Sequence, residues 1–213
     1  MRFTRTAIMD TILLIMLELR KKYKSGSALE ILQEAILSGD VPEGIILTQN
    51  ELALSLGISR MPVREALIAL EYQGLIERLP SQHVKVVRID EEFIRSIFSD
   101  MGLIEIETLK SFTNEKIIML SKCDTQADFH AAITKNIKSP FRRRMLETLT
   151  GIYLSFVLAN SGNLEKINEV FRDLRASLRC DFEVIRAGYA VYDEVLASEL
   201  IQIRKGKILH AQS

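Results

Sequence analysis

Between residues 27 and 89 apolar positions come in short runs broken by Gly and Pro, and beyond residue 90 they settle into the three-and-four spacing of long amphipathic helices. Ser27 with Glu30 is a capping box, in which the Ser oxygen and the Glu carboxylate satisfy free amides at a helix start. That helix is expected to run to about Ser38 and stop at Gly39. Asp40-Val41-Pro42-Glu43-Gly44 reads as a turn. A second capping box, Thr48 with Glu51, opens a short helix through Leu56 that Gly57 closes. Ser59 is placed to cap a third helix, with Pro62 tolerated in its first turn and Val63, Ala66, Leu67 and Leu70 on one apolar stripe. Gly74 ends it. Leu75 to Leu79 and Val84 to Ile89 are β-prone runs flanking Pro80-Ser81-Gln82-His83, which is a hairpin pattern.

Three capped helices followed by a hairpin is the order of a winged helix-turn-helix, whose second turn-linked helix enters the DNA major groove. From residue 90 strand signals fade. Phe93, Ile94, Ile97, Phe98, Met101, Ile104 and Leu109 follow helical spacing, as do Phe141, Met145, Leu149, Ile152, Tyr153 and Phe156, then Leu164, Ile167, Phe171, Leu174 and Leu178. The pattern predicts a mainly α chain: an apolar helical extension over 1–26, a winged helix-turn-helix over 27–89 with a small β-hairpin wing, and an all-α bundle of five or six helices over 90–213.

The extension is ambiguous by pattern alone. Met1 to Arg5 is short and basic, and Ala7 to Leu19 is apolar apart from Asp10, Thr11 and Glu18. No small-x-small cleavage site follows, Arg20, Lys21, Lys22 and Lys24 come next, and the run is shorter than the ~20 residues that span a bilayer. A buried or dimer-packing helix and a membrane-associated or exported segment are the two readings, the first being the better fit. No stable membrane insertion is expected.

Composition narrows the classes. The 213 residues carry 28 Lys+Arg and 28 Asp+Glu, and 47% are hydrophobic, which excludes a disordered or collagen-like chain and supplies a sizeable core. Residues 1–90 hold 11 basic and 11 acidic side chains, so any nucleic-acid contact must come from placed charges rather than a bulk basic excess. Cys123 and Cys180 fit neither a CxxC motif nor a Cys/His zinc spacing, which points to a reducing, cytoplasmic setting.

Placed charges exist. Arg60 and Arg64, four residues apart at the start of the third helix, leave one face opposite the apolar stripe. An Arg guanidinium can donate twice to guanine O6 and N7, the commonest specific base contact, worth roughly 1–3 kcal/mol of discrimination. Thr48 and Ser59 stand at helix starts, where free amides and the positive dipole end suit a phosphate. A solvated face with Glu65 nearby would explain two such arginines taken alone; their position after a capped turn favours DNA.

The stretch Leu29 to Ile89 resembles the winged helix-turn-helix of the GntR family of bacterial transcription regulators. The resemblance rests on Leu47-Thr48-Gln49-Asn50-Glu51-Leu52-Ala53, Leu56-Gly57-Ile58-Ser59-Arg60, Pro62-Val63-Arg64-Glu65-Ala66-Leu67 and Gly74-Leu75-Ile76. It implies that Arg60 and Arg64 touch operator bases and that Thr48 and Ser59 contact the backbone, with Gln49, Asn50, Met61, Gln82 and His83 completing the DNA-binding set. Asn50 stands where many members have an Arg that reaches DNA, and Ser81-Gln82-His83 replaces the usual Gly-rich wing tip. For His83 an exposed hairpin position and a minor-groove contact are both open.

The helical remainder resembles the FCD-type effector domain of the FadR-like branch, through Asp128-Phe129-His130-Ala131-Ala132-Ile133 and Ile185-Arg186-Ala187-Gly188. Metal-binding members use one Asp and three His to hold a divalent ion and a carboxylate effector. Here the Asp place is Gln126, and the later His places fall near Leu178 and Leu200, with no histidine in either neighbourhood. A degenerate domain is expected, without metal or other cofactor. His130 reads as a satisfied interior histidine before it reads as a ligand, and the segment from Phe112 to Asp128 is shorter than is usual, with one or two helices missing or rearranged. Gln126, His130, Tyr153 and Asn160 are the candidate effector-pocket residues.

Arg142-Arg143-Arg144 points three ways from one helix and fits a solvated helix start better than a second nucleic-acid surface. Glu105 and Glu107 beside an apolar stripe fit either a polar pocket or an exposed face. No nucleophile-base pairing or Gly-rich phosphate loop supports catalysis. The expected protein is a homodimeric regulator on a pseudo-palindromic operator, with or without a small carboxylate-like effector; a membrane-associated interaction protein using the apolar extension is the rival.

Overall fold

The structure is a computed structural model that describes Leu14, Leu17, residues 26–81 and residues 83–210, with side chains to residue 206. It divides into two compact units, Met1–Ile89 with Arg204–Ser213, and Asp90–Ile203. The expected N-terminal helix lies outside the described residues except for Leu14 and Leu17, both of which are exposed. Gln82 also lies outside them.

In the first unit, α1 (Ala28–Ser38) starts at the Ser27/Glu30 capping box and ends at Gly39, whose φ of +84° is the left-handed conformation that glycine adopts without strain. β1 (Ile46–Leu47) leads into α2 (Gln49–Leu56), capped by the reciprocal Thr48/Glu51 pair at 3.1 and 2.8 Å. Gly57, with φ +60°, turns the chain into α3 (Arg60–Tyr72). Ser59 holds the N-cap position there, but its hydroxyl accepts no amide of the helix. This corrects the expected side-chain cap.

β2 (Ile76–Arg78) and β3 (Val84–Val86) form the hairpin, and β1 adds a third strand to give the antiparallel order β1-β3-β2. Ile46 pairs with Lys85, and Glu77 pairs with Lys85 from the other side. A two-residue strand carries too little alternation to be seen in sequence, so β1 was not expected. The core of the unit is Ile31, Leu32, Ala35 and Ile36 of α1, Leu52 and Leu56 of α2, the α3 stripe Val63, Ala66, Leu67 and Leu70, and Leu75, Val84 and Val86. Arg204 completes it. Its buried guanidinium donates to the carbonyls of Ile36 and Leu37 at 2.9 and 3.0 Å, the first of which also accepts from the Gly39 amide at 3.2 Å, and pairs with Glu43 at 3.3 Å.

The second unit is helical throughout. α4 (Glu91–Leu109) is capped by Asp90, α5 (Asn114–Leu120) by Thr113 and α6 (Gln126–Lys135) by Thr125. α7 (Pro140–Thr148) is capped by Ser139 and passes through a π-helical segment, Leu149–Leu154, into α8 (Ser155–Asn160). α9 (Leu164–Ser177) and α10 (Phe182–His210) follow. Phe141 and Met145, placed on an apolar stripe by periodicity, are exposed at 73% and 37%. The wider π turn adds a residue to the repeat, so a face counted at 3.6 does not stay in phase through it. Phe98, Met101, Phe129, Ile133, Phe171, Leu174, Tyr189, Tyr192 and Leu196 form the core, with Phe129 edge-on to Phe171 at 5.2 Å between ring centres. Among the described residues no helix is long and apolar enough to cross a membrane.

Candidate nucleic-acid interface

The first turn of α3 is held by α2. The Gln49 side-chain amide donates to the carbonyl of Arg60 at 2.8 Å, and Asn50 Oδ1 accepts from Arg60 Nη1 at 3.2 Å. Since Thr48 and Glu51 fix the start of α2, and Gly57 fixes the turn, these two bonds tie both helix starts into one surface. Asn50, Ser59, Arg60, Met61 and Arg64 are exposed, and Thr48 and Gln49 half-buried. Met61, at 59% exposure, is an apolar group left in water beside two cations. The opposite stripe of α3 is in the core, so the helix presents Arg60 and Arg64 outward because Val63, Ala66, Leu67 and Leu70 point in.

That arrangement can do two kinds of chemistry. Guanidinium forks can pair with acceptors of base edges or phosphates, and the amides at two helix starts can receive phosphate oxygens. Ser59 is free of helix capping, so its hydroxyl remains for another acceptor or donor. His83 sits in the β2–β3 turn, half-buried, its carbonyl accepting from the Leu79 amide at 2.8 Å. Among the described residues no hydrogen bond ties it to the α2–α3 surface. Lys85 pairs across the sheet with Glu77 at 3.4 Å and Arg78 with Glu71 at 3.0 Å, so these wing cations are partly neutralised.

In the second unit two of the four candidate pocket residues meet and two do not. His130 Nδ1 lies 2.6 Å from Glu105 Oε1, and Nε2 lies 3.2 Å from the Tyr192 hydroxyl. Tyr192 in turn donates to Gln126 Oε1, whose amide nitrogen donates to Asn168 Oδ1 at 3.1 Å. Tyr153 is buried and packs against Phe93 instead, with rings 6.2 Å apart, and Asn160 bonds back to the Phe156 carbonyl at 3.0 Å. Burial raises the Tyr153 hydroxyl well above its usual range.

Tyr189, Tyr192, Asn168 and Asp193 are cluster residues outside the sequence-based pocket set, and Glu105, which the sequence leaves open between a polar pocket and an exposed face, is buried among them. A carboxylate and two tyrosines at apolar-stripe positions were the available signal. Glu107, two residues on, is exposed and pairs with Lys110 at 2.7 Å. Burial, then the charge of Glu105, pushes the Tyr192 hydroxyl up and the Asp193 carboxyl up to about 8. Tyr189 faces Glu105 closely enough to be raised in the same way, yet outside hydrogen-bond geometry. Glu105 Oε2, the Tyr189 hydroxyl and Asp193 Oδ1 are buried without a hydrogen-bond partner.

The residues at these places do not suit the one-Asp, three-His site that the FCD resemblance would imply. Gln126 cannot supply a carboxylate, Leu178 and Leu200 are buried apolar residues, and among the described residues no three His, Cys, Asp or Glu side chains converge for a metal. His130 also lines a groove of about 360 Å³ between α6 and the π segment, with Thr134, Lys135, Glu147, Thr150 and Gly151.

The fold and surface of the first unit define a winged helix-turn-helix. Residues 24–86 match the sequence model of the family described as bacterial regulatory proteins, gntR family, so this segment carries a GntR-family helix-turn-helix domain. A 59-residue stretch is 42% identical to an uncharacterized HTH-type transcriptional regulator in an unstable DNA locus of Streptomyces ambofaciens. That stretch is 28% of this chain and spans 25% of the relative's length. The structure of E. coli McbR/YncC aligns over 88% of this chain and 97% of its own, with 21% identity and a TM-score of 0.51. Lar, described as controlling expression of the Listeria monocytogenes agr system, aligns over 82% of this chain and 95% of its own, with 15% identity and a TM-score of 0.50. The two structures share the fold, including the helical second unit.

Proposed function

We propose that the protein is a sequence-specific, DNA-binding transcription regulator of the GntR type, acting in the cytoplasm as a homodimer on a pseudo-palindromic operator. The observation that carries the reading is the outward pair Arg60 and Arg64 on a helix whose first turn is fastened by Gln49 and Asn50. Arg60 and Arg64 read bases, Met61 offers an apolar contact for a thymine methyl, and Thr48 and Ser59 take phosphates. His83, in the β2–β3 turn, and Gln82, from the sequence alone, complete the contact set. With 11 basic and 11 acidic residues in positions 1–90, one domain attracts DNA weakly in bulk, and two copies at fixed spacing supply the missing affinity. Enrichment of bound duplexes from a random pool tests this. Two inverted half-sites about one helical turn apart are expected; no enriched sequence would remove the reading.

The second unit is proposed as a degenerate FCD-type domain of the FadR-like branch that works without metal or other cofactor. A small carboxylate-like effector would enter the groove beside His130, where Lys135 supplies a cation. It could regulate only by binding one arrangement of the dimer better than the other. One observation favours a second reading, in which this unit senses no small molecule: both ring nitrogens of His130 are already engaged, by Glu105 and Tyr192. Melting the protein against a set of small carboxylates separates the two, a dose-dependent rise in Tm supporting the effector.

A further inference from the structure

The first residues of α2 and α3 are joined by two bonds of different kinds. Gln49 grips the backbone of Arg60, which fixes where the side chain begins, and Asn50 grips the guanidinium, which fixes where it ends. Arg64, one turn on, is exposed with no such tether among the described hydrogen bonds. A free arginine samples many rotamers and loses that freedom on binding, whereas a contact made beforehand takes part of the loss in advance and orients the fork. Asn50 Oδ1 occupies Nη1 of Arg60 and leaves the Nε/Nη2 edge whole, and that edge has the paired donors a guanine O6/N7 face requires. The holder is an amide, so it leaves the charge of Arg60 intact and brings no anion toward the phosphates.

We propose that Asn50 is a positioning residue that sets the base specificity of Arg60, through the hydrogen bond from Arg60 Nη1 to its side-chain oxygen. The proposal rests on the DNA-reading role of α3 put forward above. It separates the two arginines: Arg60 reads its base pair from a pre-set orientation, and Arg64 adjusts on contact. Asn50 thereby acts on which base is chosen more than on how tightly DNA is held.

The test uses the full chain and duplexes enriched from a random pool. Arg60→Ala first identifies the base pair whose substitution no longer matters to binding. At that pair Asn50→Leu, similar in size but without an acceptor, is expected to lower discrimination about fivefold, the scale of one net hydrogen bond, with Tm unchanged. Asn50→Asp keeps the acceptor, so it should preserve discrimination while weakening all duplexes alike through phosphate repulsion. In an Arg60→Ala background Asn50→Leu should change nothing further at that pair. Unchanged discrimination in Asn50→Leu, an equal loss in Asn50→Asp, or an undiminished effect without Arg60 would each overturn the role of Asn50. If Arg60→Ala alters no base preference, the DNA reading itself has failed, and that result is distinct from a silent Asn50→Leu.

Discussion

Glu105 Oε1 and His130 Nδ1 lie 2.6 Å apart in the core of the second unit, with 0% and 2% of their side chains exposed. A buried pair of this kind contributes little net stability over an apolar substitute, but removing one partner strands the other. Glu105→Ala is therefore expected to destabilise the protein by about 3 kcal/mol. Glu105→Ala combined with His130→Ala should cost clearly less than the two single losses added together. Urea denaturation of the four proteins measures this, and full additivity would show that the pair is not coupled.

Asp193 gives the same unit a pH dependence. Burial, then Glu105, raises its carboxyl from the ordinary 3.8 to about 8 in the fold, so between those values the folded state holds a proton that the unfolded state has lost. Stability should accordingly fall as pH rises from about 4 to 8, by up to about 1.4 kcal/mol per pH unit from this group, and level off above. Asp193→Asn, which keeps the shape and removes the titration, should flatten the fall. Parallel pH profiles for the two proteins would contradict the assignment.

Two N-cap positions of the first unit should behave differently under the same substitution. Thr48 makes a closed capping box with Glu51, so Thr48→Ala is expected to lose about 1 kcal/mol of stability. Ser59 caps nothing with its side chain, so Ser59→Ala should change stability by less than about 0.5 kcal/mol. If Ser59 serves a phosphate, its variant should bind all DNA sequences more weakly while melting like the parent. A drop in Tm equal to that of Thr48→Ala would count against the distinction.

Local chemistry explains which parts were legible. Capping boxes, glycine stops and the α3 stripe are sequence-local devices, and the helices of the first unit lie where those residues put them. Partnerships over long sequence separations have no such signature. Arg204 reaches Ile36 and Leu37 from the far end of the chain, and Glu105 meets His130 across two helices, so neither pairing could be read from spacing. Ser59 shows the limit of the local rules: an N-cap position and a suitable residue did not make a cap. The π segment shows another, since one widened turn inside α7–α8 left Phe141 and Met145 in solvent. On the α2–α3 face, Arg60 and Asn50 are separate candidates in the sequence, and only the structure joins them.

Arg60 and Arg64 are proposed to read operator bases from the exposed face of α3. The most direct measurement compares the affinity of the full chain and of Arg64→Ala for an enriched duplex and for random duplex at the same salt concentration. A loss of about 1–3 kcal/mol on the enriched sequence, with a much smaller loss on random DNA, is predicted for a lost base contact. Equal losses on both would reduce Arg64 to a phosphate anchor and contradict the claim.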